Sequence, residues 1–233
     1  MLTGWQSTVT DAYDQRYYRR WMHELPAMRH IFRGTTLDVH HTILPPTARL
    51  KPDARLLIEA SVEIPGLPGV RTLSLQDLIL HSASHLFHEG EPDNLLRDLT
   101  DLDMLLRHLG QDESAWDGLA DRAERLQLSG PLSLALRYTA RLLATPVPVR
   151  ISKRLGSDAT GGIGRHLLDQ LYDRMLRPQH PSTADGFTPL ARKALYIRAH
   201  WLRMPPLLLA YHLAHKALFP PAQEALPAMD DKK

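Results

Sequence analysis

From residue 75 onward the apolar positions of this chain recur every three or four residues. Leu75, Leu78, Ile79, Ser82 and Leu86 share one arc at about 100° per residue, and Ser74 stands three residues before Asp77 in the manner of a capping box. A helix is therefore predicted over 74–89, broken by Gly90 and Pro92. The next, over 93–109, carries the arc Leu95, Leu99, Leu102, Leu105, Leu106 and Leu109 and stops at Gly110. The same period predicts helices over 113–128, 131–144, 164–176 and 189–219, the last interrupted at Pro205-Pro206.

Ahead of residue 74 the period changes. The run T-T-L-D-V-H-H-T-I-L at 35–44 alternates apolar and polar residues, is rich in β-branched types and predicts a strand stopped by Pro45-Pro46. A short helix is predicted over 53–60, then two short strands over 61–64 and 70–73 joined by the turn residues P-G-L-P-G. Residues 10–30 mix Tyr13, Tyr17, Tyr18 and Trp21 with Arg16, Arg19 and Arg20, as an irregular segment or a short helix ending near Pro26. The fold class expected is α+β: a small mixed α/β region over 1–73, a mainly helical domain over 74–219 and a flexible tail over 220–233.

Composition narrows the chemistry. Among 233 residues, 28 Lys plus Arg against 26 Asp plus Glu leave a charge of +2, which is no electrostatic footprint for nucleic acid. Zero cysteines exclude disulfides, thiolate metal sites and cysteine nucleophiles. No apolar run approaches the ~20 residues of a membrane span, and the first residues do not read as a signal peptide, so a cytoplasmic protein without a transmembrane segment is expected. Gly161-Gly162-Ile163-Gly164 follows no predicted strand and lacks the Lys-Ser/Thr ending of a phosphate loop.

The 13 histidines cluster. Asp77, His81, His85 and His88 form a stripe opposite the apolar arc of the 74–89 helix, where two imidazoles one turn apart can address one metal ion or phosphate. A solvated polar face is the plainer reading of that spacing. On the following helix Asp98 falls inside the apolar arc and Asp101 at its edge. A buried carboxylate needs a partner, and the preceding histidines or Arg97 are the nearest. A structural His–Asp hydrogen bond across the hairpin is the expectation; a His/Asp metal site is the sharper alternative.

Two stretches carry a resemblance: L-D-V-H-H-T-I-L at 37–44, and L-I-L-H-S-A-S-H-L-F-H-E-G-E-P-D-N-L-L-R-D-L-T-D-L-D-M-L-L at 78–106. With L-S-L-Q-D at 73–77 and W-L-R-M-P-P-L-L-L at 201–209, they resemble an uncharacterised bacterial nucleotidyltransferase family related to the polymerase-β superfamily. The resemblance implies transfer of a nucleotidyl group from an NTP to an unknown acceptor with Mg²⁺. Asp38 would be the third catalytic carboxylate and a metal ligand, His40 or His41 a neighbour of the site, and the 74–109 hairpin its acceptor side or brace. The Gly-Ser turn and D-x-D of that superfamily have no match upstream of Asp38, and Asp101-Leu102-Asp103 lies on a predicted helix that splays its carboxylates by about 100° per residue. The resemblance thus implies a truncated member, incomplete or inactive as this chain. The alternative is a non-catalytic helical binding or accessory module with a protein partner. A metal-dependent hydrolase built on His81, His85, His88, Asp98 and Asp101 comes third.

Overall fold

A computed structural model describes residues 4–88, 94–110, 112–158 and 162–218. The class is α+β, with small antiparallel sheets in the N-terminal part and a mainly helical region after them. Strands β1 (Trp5–Ser7), β2 (Met28–His30) and β3 (Thr36–Leu37) form one sheet in the order β1-β2-β3. Helix α1 (Ala12–Trp21) lies between β1 and β2 in the chain, its first turn capped by the Asp11 carboxylate, which accepts from the Asp14 N–H at 2.9 Å. Helix α2 (Ala54–Glu59) precedes the β4 (Val62–Glu63) and β5 (Arg71–Thr72) hairpin.

Helices α3 (Leu75–His88), α4 (Leu95–His108), α5 (Glu113–Arg125), α6 (Ser129–Leu143), α8 (Ile163–Met175), α9 (Thr188–Arg203) and α10 (Pro206–Leu218) fall where the apolar period predicts them. The break between α9 and α10 is at Met204-Pro205, since proline cannot continue the α9 ladder. Helix α7 (Val149–Leu155) lies in a stretch for which the period predicts no element; Pro148 stands at its N-cap, and Gly156 closes it in the left-handed conformation (φ +64°). Gly90 and Pro92, which end the first predicted helix, lie outside the described residues, as does the 220–233 tail.

The expected strand over 35–44 shrinks to Thr36–Leu37, with an isolated bridge at His40. Alternation specifies a strand only where a packed layer buries every second residue. Here 31–41 is exposed along its whole length, Leu37 and Val39 included. Strands β1 and β2 escaped prediction because three residues of W-Q-S and M-R-H carry no readable alternation.

Helix α3 is the axis of the core and touches α4, α5, α6 and α9. Its Ile79, Leu80, Ala83, Leu86 and Phe87 pack in one cluster with Leu99, Leu102 and Leu106 of α4, Trp116 and Leu119 of α5, and Leu132 and Tyr138 of α6. Neighbours on this many sides leave little helix surface for water. The Asp77/His81/His85/His88 stripe is accordingly not a solvated face: Asp77 and His88 are buried, His81 is half-buried and His85 alone of the four is exposed.

Buried charge on these helices is matched. Arg122 of α5 grips both carboxylate oxygens of Asp77 through Nε and Nη2 (2.8 and 2.9 Å), and Nη2 also donates to the Leu56 carbonyl at 2.7 Å. Asp169 of α8 accepts from Arg137 Nε at 2.7 Å and from the Tyr138 hydroxyl at 3.0 Å. The Arg137 guanidinium holds the Asp169 carboxyl below the usual carboxylate range, while burial and then Asp169 push the Tyr138 phenol up. Among the described residues no helix is long and apolar enough to cross a membrane.

Candidate functional site

The β2–β3 hairpin positions the most polar face of the N-terminal part. Met28 pairs with Leu37 and Arg29 with Thr36, and the chain reverses through 31–35, where Gly34 takes φ +68°. Beyond the strands the two segments remain joined. Leu25 N–H donates to the Val39 carbonyl (2.9 Å), His41 N–H to the His23 carbonyl (3.0 Å) and Thr42 N–H to the same oxygen (3.4 Å). Glu24 bridges His40. Between the two pairings Leu25, Pro26 and Ala27 face only Asp38 and Val39, so the first segment carries one residue more; Pro26 sits in it, having no N–H to give a ladder.

This backbone brings His23, Glu24 and His40 together. His40 Nε2 lies 3.2 Å from Glu24 Oε2, the His23 and His40 rings are 5.1 Å apart between centroids, and one donor atom from each of the three residues falls within 4.8 Å of the others. His23 is buried, Glu24 half-buried and His40 exposed.

Burial pushes the His23 imidazole down to about 4, with His40, Arg203, His41 and His85 adding in the same direction. It is neutral at pH 7. His81 is lowered as well, by burial first and then by His85 and His40. The hairpin histidines and the exposed turn of α3 therefore share one field, with the His81 and His85 rings 6.2 Å apart. Tyr18 of α1 is raised by burial, then by Glu24, Asp14 and Asp38, so the Asp38 carboxylate, exposed at the hairpin, lies within electrostatic reach of this face.

The residues singled out in the sequence thus divide. His40 joins the compact group, His81 and His85 border it, and Asp38 stands beside it. His88 points elsewhere. It lines an open cleft of about 680 Å³ with Arg49, Arg154, Arg165 and Arg198, and burial followed by Arg198 and Arg203 lowers its imidazole to about 4. Asp98 and Asp101 lie 3.8 and 3.9 Å from Arg97 Nε. The His–Asp hydrogen bond expected across the α3–α4 hairpin is not made among the described residues: Asp98 sits part-exposed in the first turn of α4, where the adjacent guanidinium reaches it. His81, His85, His88, Asp98 and Asp101 consequently form no common ligand group, and a hydrolase centre on those five finds no support. His23 and Glu24 were missed because no local spacing flags them. Their partner is 16 residues on and meets them only through the antiparallel pairing.

The group's fitness for metals follows from its donors. A magnesium pair asks for clustered oxygen ligands. Asp38 has no such company among the described residues, and the D-x-D of α4 is dispersed: Asp103 accepts from Arg107 Nε (2.8 Å) and from the Thr145 hydroxyl (2.6 Å), while Asp101 faces Arg97. The described residues do not fit a magnesium pair. Two imidazoles and one carboxylate instead suit a borderline transition ion.

Among curated proteins and among solved structures nothing matches the chain significantly. A family model described as an uncharacterised nucleotidyltransferase matches residues 1–144, which takes in the β2–β3 hairpin, the His23–Glu24–His40 group, Asp38 and helices α1–α6. Since that is more than half of its length, the chain belongs to the uncharacterised nucleotidyltransferase family.

Proposed function

We propose that this protein serves nucleotidyl transfer from an NTP to an acceptor, with Asp38 as the carboxylate that this chain brings to the nucleotide and His40 and His41 beside it. The observation that carries the reading is the place of Asp38: exposed on a hairpin inside the family-matched segment, in the same electrostatic field as Glu24 and next to a face lined by His23, His40, His81 and His85. The nucleotide's phosphates approach from the solvent side, where Asp38, His40 and His41 are all exposed.

Asp38 belongs to no group of three or more potential metal ligands among the described residues. The 233-residue chain by itself is therefore expected to release pyrophosphate from NTPs in Mg²⁺ buffer no faster than a protein-free control. A coupled pyrophosphate assay on the chain checks that silence, and the same assay on Asp38→Asn assigns any release that appears. Release that Asp38→Asn abolishes would keep the role of Asp38 and overturn the incompleteness of the chain. Release that Asp38→Asn leaves intact would overturn both.

A further inference from the structure

We propose that His23, Glu24 and His40 form a binding site for one divalent transition-metal ion of the zinc type, separate from any metal that accompanies a nucleotide. The spacing of the donors suits one ion. Two donors bound to one tetrahedral ion at ~2.0–2.1 Å lie roughly 3.3 Å apart. His40 Nε2 and Glu24 Oε2 already stand at 3.2 Å, and the His23 donor completes a set within 4.8 Å, which small side-chain rotations close.

The three residues are also preorganised. A metal site is effective when its ligands ride on backbone that is fixed before the ion arrives. His23 and Glu24 are neighbours in the chain, and three backbone hydrogen bonds, from Leu25 to Val39 and from His41 and Thr42 to His23, tie them to the segment that carries His40. The ion would join two segments already in register, so little conformational entropy is spent on assembling its ligands.

Donor chemistry selects the ion. Imidazole nitrogens favour zinc, cobalt or nickel over magnesium and calcium, which prefer all-oxygen shells. His23 is buried and supplies a neutral nitrogen from the protein side. The His40 side chain is 44% exposed, so the coordination positions left by three protein ligands open on solvent, as in sites that keep a place for water or a substrate oxygen. Asp38 and the α3 histidines His81 and His85 lie within electrostatic reach of the same face. A plain surface ion pair between His40 and Glu24 would explain that one contact, but it would not require a buried imidazole as the third member.

The test is titration of Zn²⁺ into the untagged, chelator-treated chain by calorimetry, with Co²⁺ absorption as a second probe. One ion per chain is expected, with the Co²⁺ bands of a nitrogen- and oxygen-ligated centre. Glu24→Gln and His40→Ala should each weaken Zn²⁺ binding by roughly 100-fold or more, while His81→Ala retains it. His40 is exposed and Glu24 half-buried, and an unchanged circular dichroism spectrum and thermal midpoint of the metal-free variants would show that lost affinity is not lost fold. Absence of Zn²⁺ uptake at micromolar concentrations overturns the proposal. So does uptake that survives both substitutions, or that His81→Ala abolishes instead. None of these outcomes depends on transferase activity, so the site stands or falls apart from the nucleotidyl-transfer reading.

Discussion

Replacement of Arg122 by alanine is expected to lower the unfolding free energy by about 3–5 kcal/mol, the cost of leaving a buried charge without its partner. Asp77 is 0% exposed, and both of its carboxylate oxygens are held by the Arg122 fork. The same guanidinium also donates to the Leu56 carbonyl within α2, so one side chain ties α2, α3 and α5 together. Arg122→Lys keeps the charge but cannot reproduce the two-pronged geometry, and should recover only part of the loss. Combining Arg122→Ala with Asp77→Ala removes the orphaned carboxylate, so the double variant should be more stable than the sum of the single losses implies. Urea unfolding of the unaltered chain, the three single variants and the double variant measures this. A loss below about 1 kcal/mol for Arg122→Ala, the range of exposed pairs, would contradict it.

The second large effect is acid lability through His88. An unfolded histidine titrates near 6.5, whereas burial, then Arg198 and Arg203 on α9, hold folded His88 at about 4. Between these values the unfolded chain binds the proton more readily. Stability contributed by neutral His88 is therefore complete above about pH 6.5, falls as the pH drops and is exhausted near pH 4, amounting to about 3 kcal/mol. His88 Nδ1 is also buried with no hydrogen bond among the described residues, so an apolar side chain of similar size should be tolerated. His88→Leu is expected to make the decline in urea-unfolding stability between pH 7 and 4.5 shallower, leaving the part due to His23, also held at about 4, and to His81, while changing the pH 7 value much less. An equal decline in the variant would show that His88 is not the titrating group.

Much of the helical architecture is legible in the sequence because its causes are local. The arcs of α3 and α4 repeat at helical period, Gly110 stops α4, and Pro205-Pro206 divides α9 from α10. What the period cannot show is how many neighbours a helix has. Asp77, His81, His85 and His88 form a polar stripe by spacing, yet three of the four are buried or half-buried because α3 is packed on several sides at once. For Asp98 the period left two partners open, the α3 histidines and the adjacent Arg97, and it is Arg97 that lies 3.8 Å away.

The candidate site was half legible. L-D-V-H-H marks Asp38, His40 and His41, and the family resemblance drawn from it holds over 1–144. His23 and Glu24 become visible only with the register of the hairpin, including the extra residue at Pro26 that shifts Glu24 opposite His40. The mainly two-residue length of the β3 strand has the same origin: alternation at 35–44 meets no second layer to bury one of its faces.

The central claim is that the nucleotide is received at the hairpin face bearing Asp38. The most direct measurement is paramagnetic line broadening of the histidine ring protons by exchange-inert chromium(III)–ATP, a probe whose metal cannot transfer to the protein's own ligands. The account predicts broadening of His40 and His41, with His81 and His85 next, and sharp signals from His108, His166 and His180 on the other helices and loops. That pattern should fade in Asp38→Asn. Broadening centred on His88 and its arginine-lined cleft, or none at any histidine at millimolar probe, would contradict it.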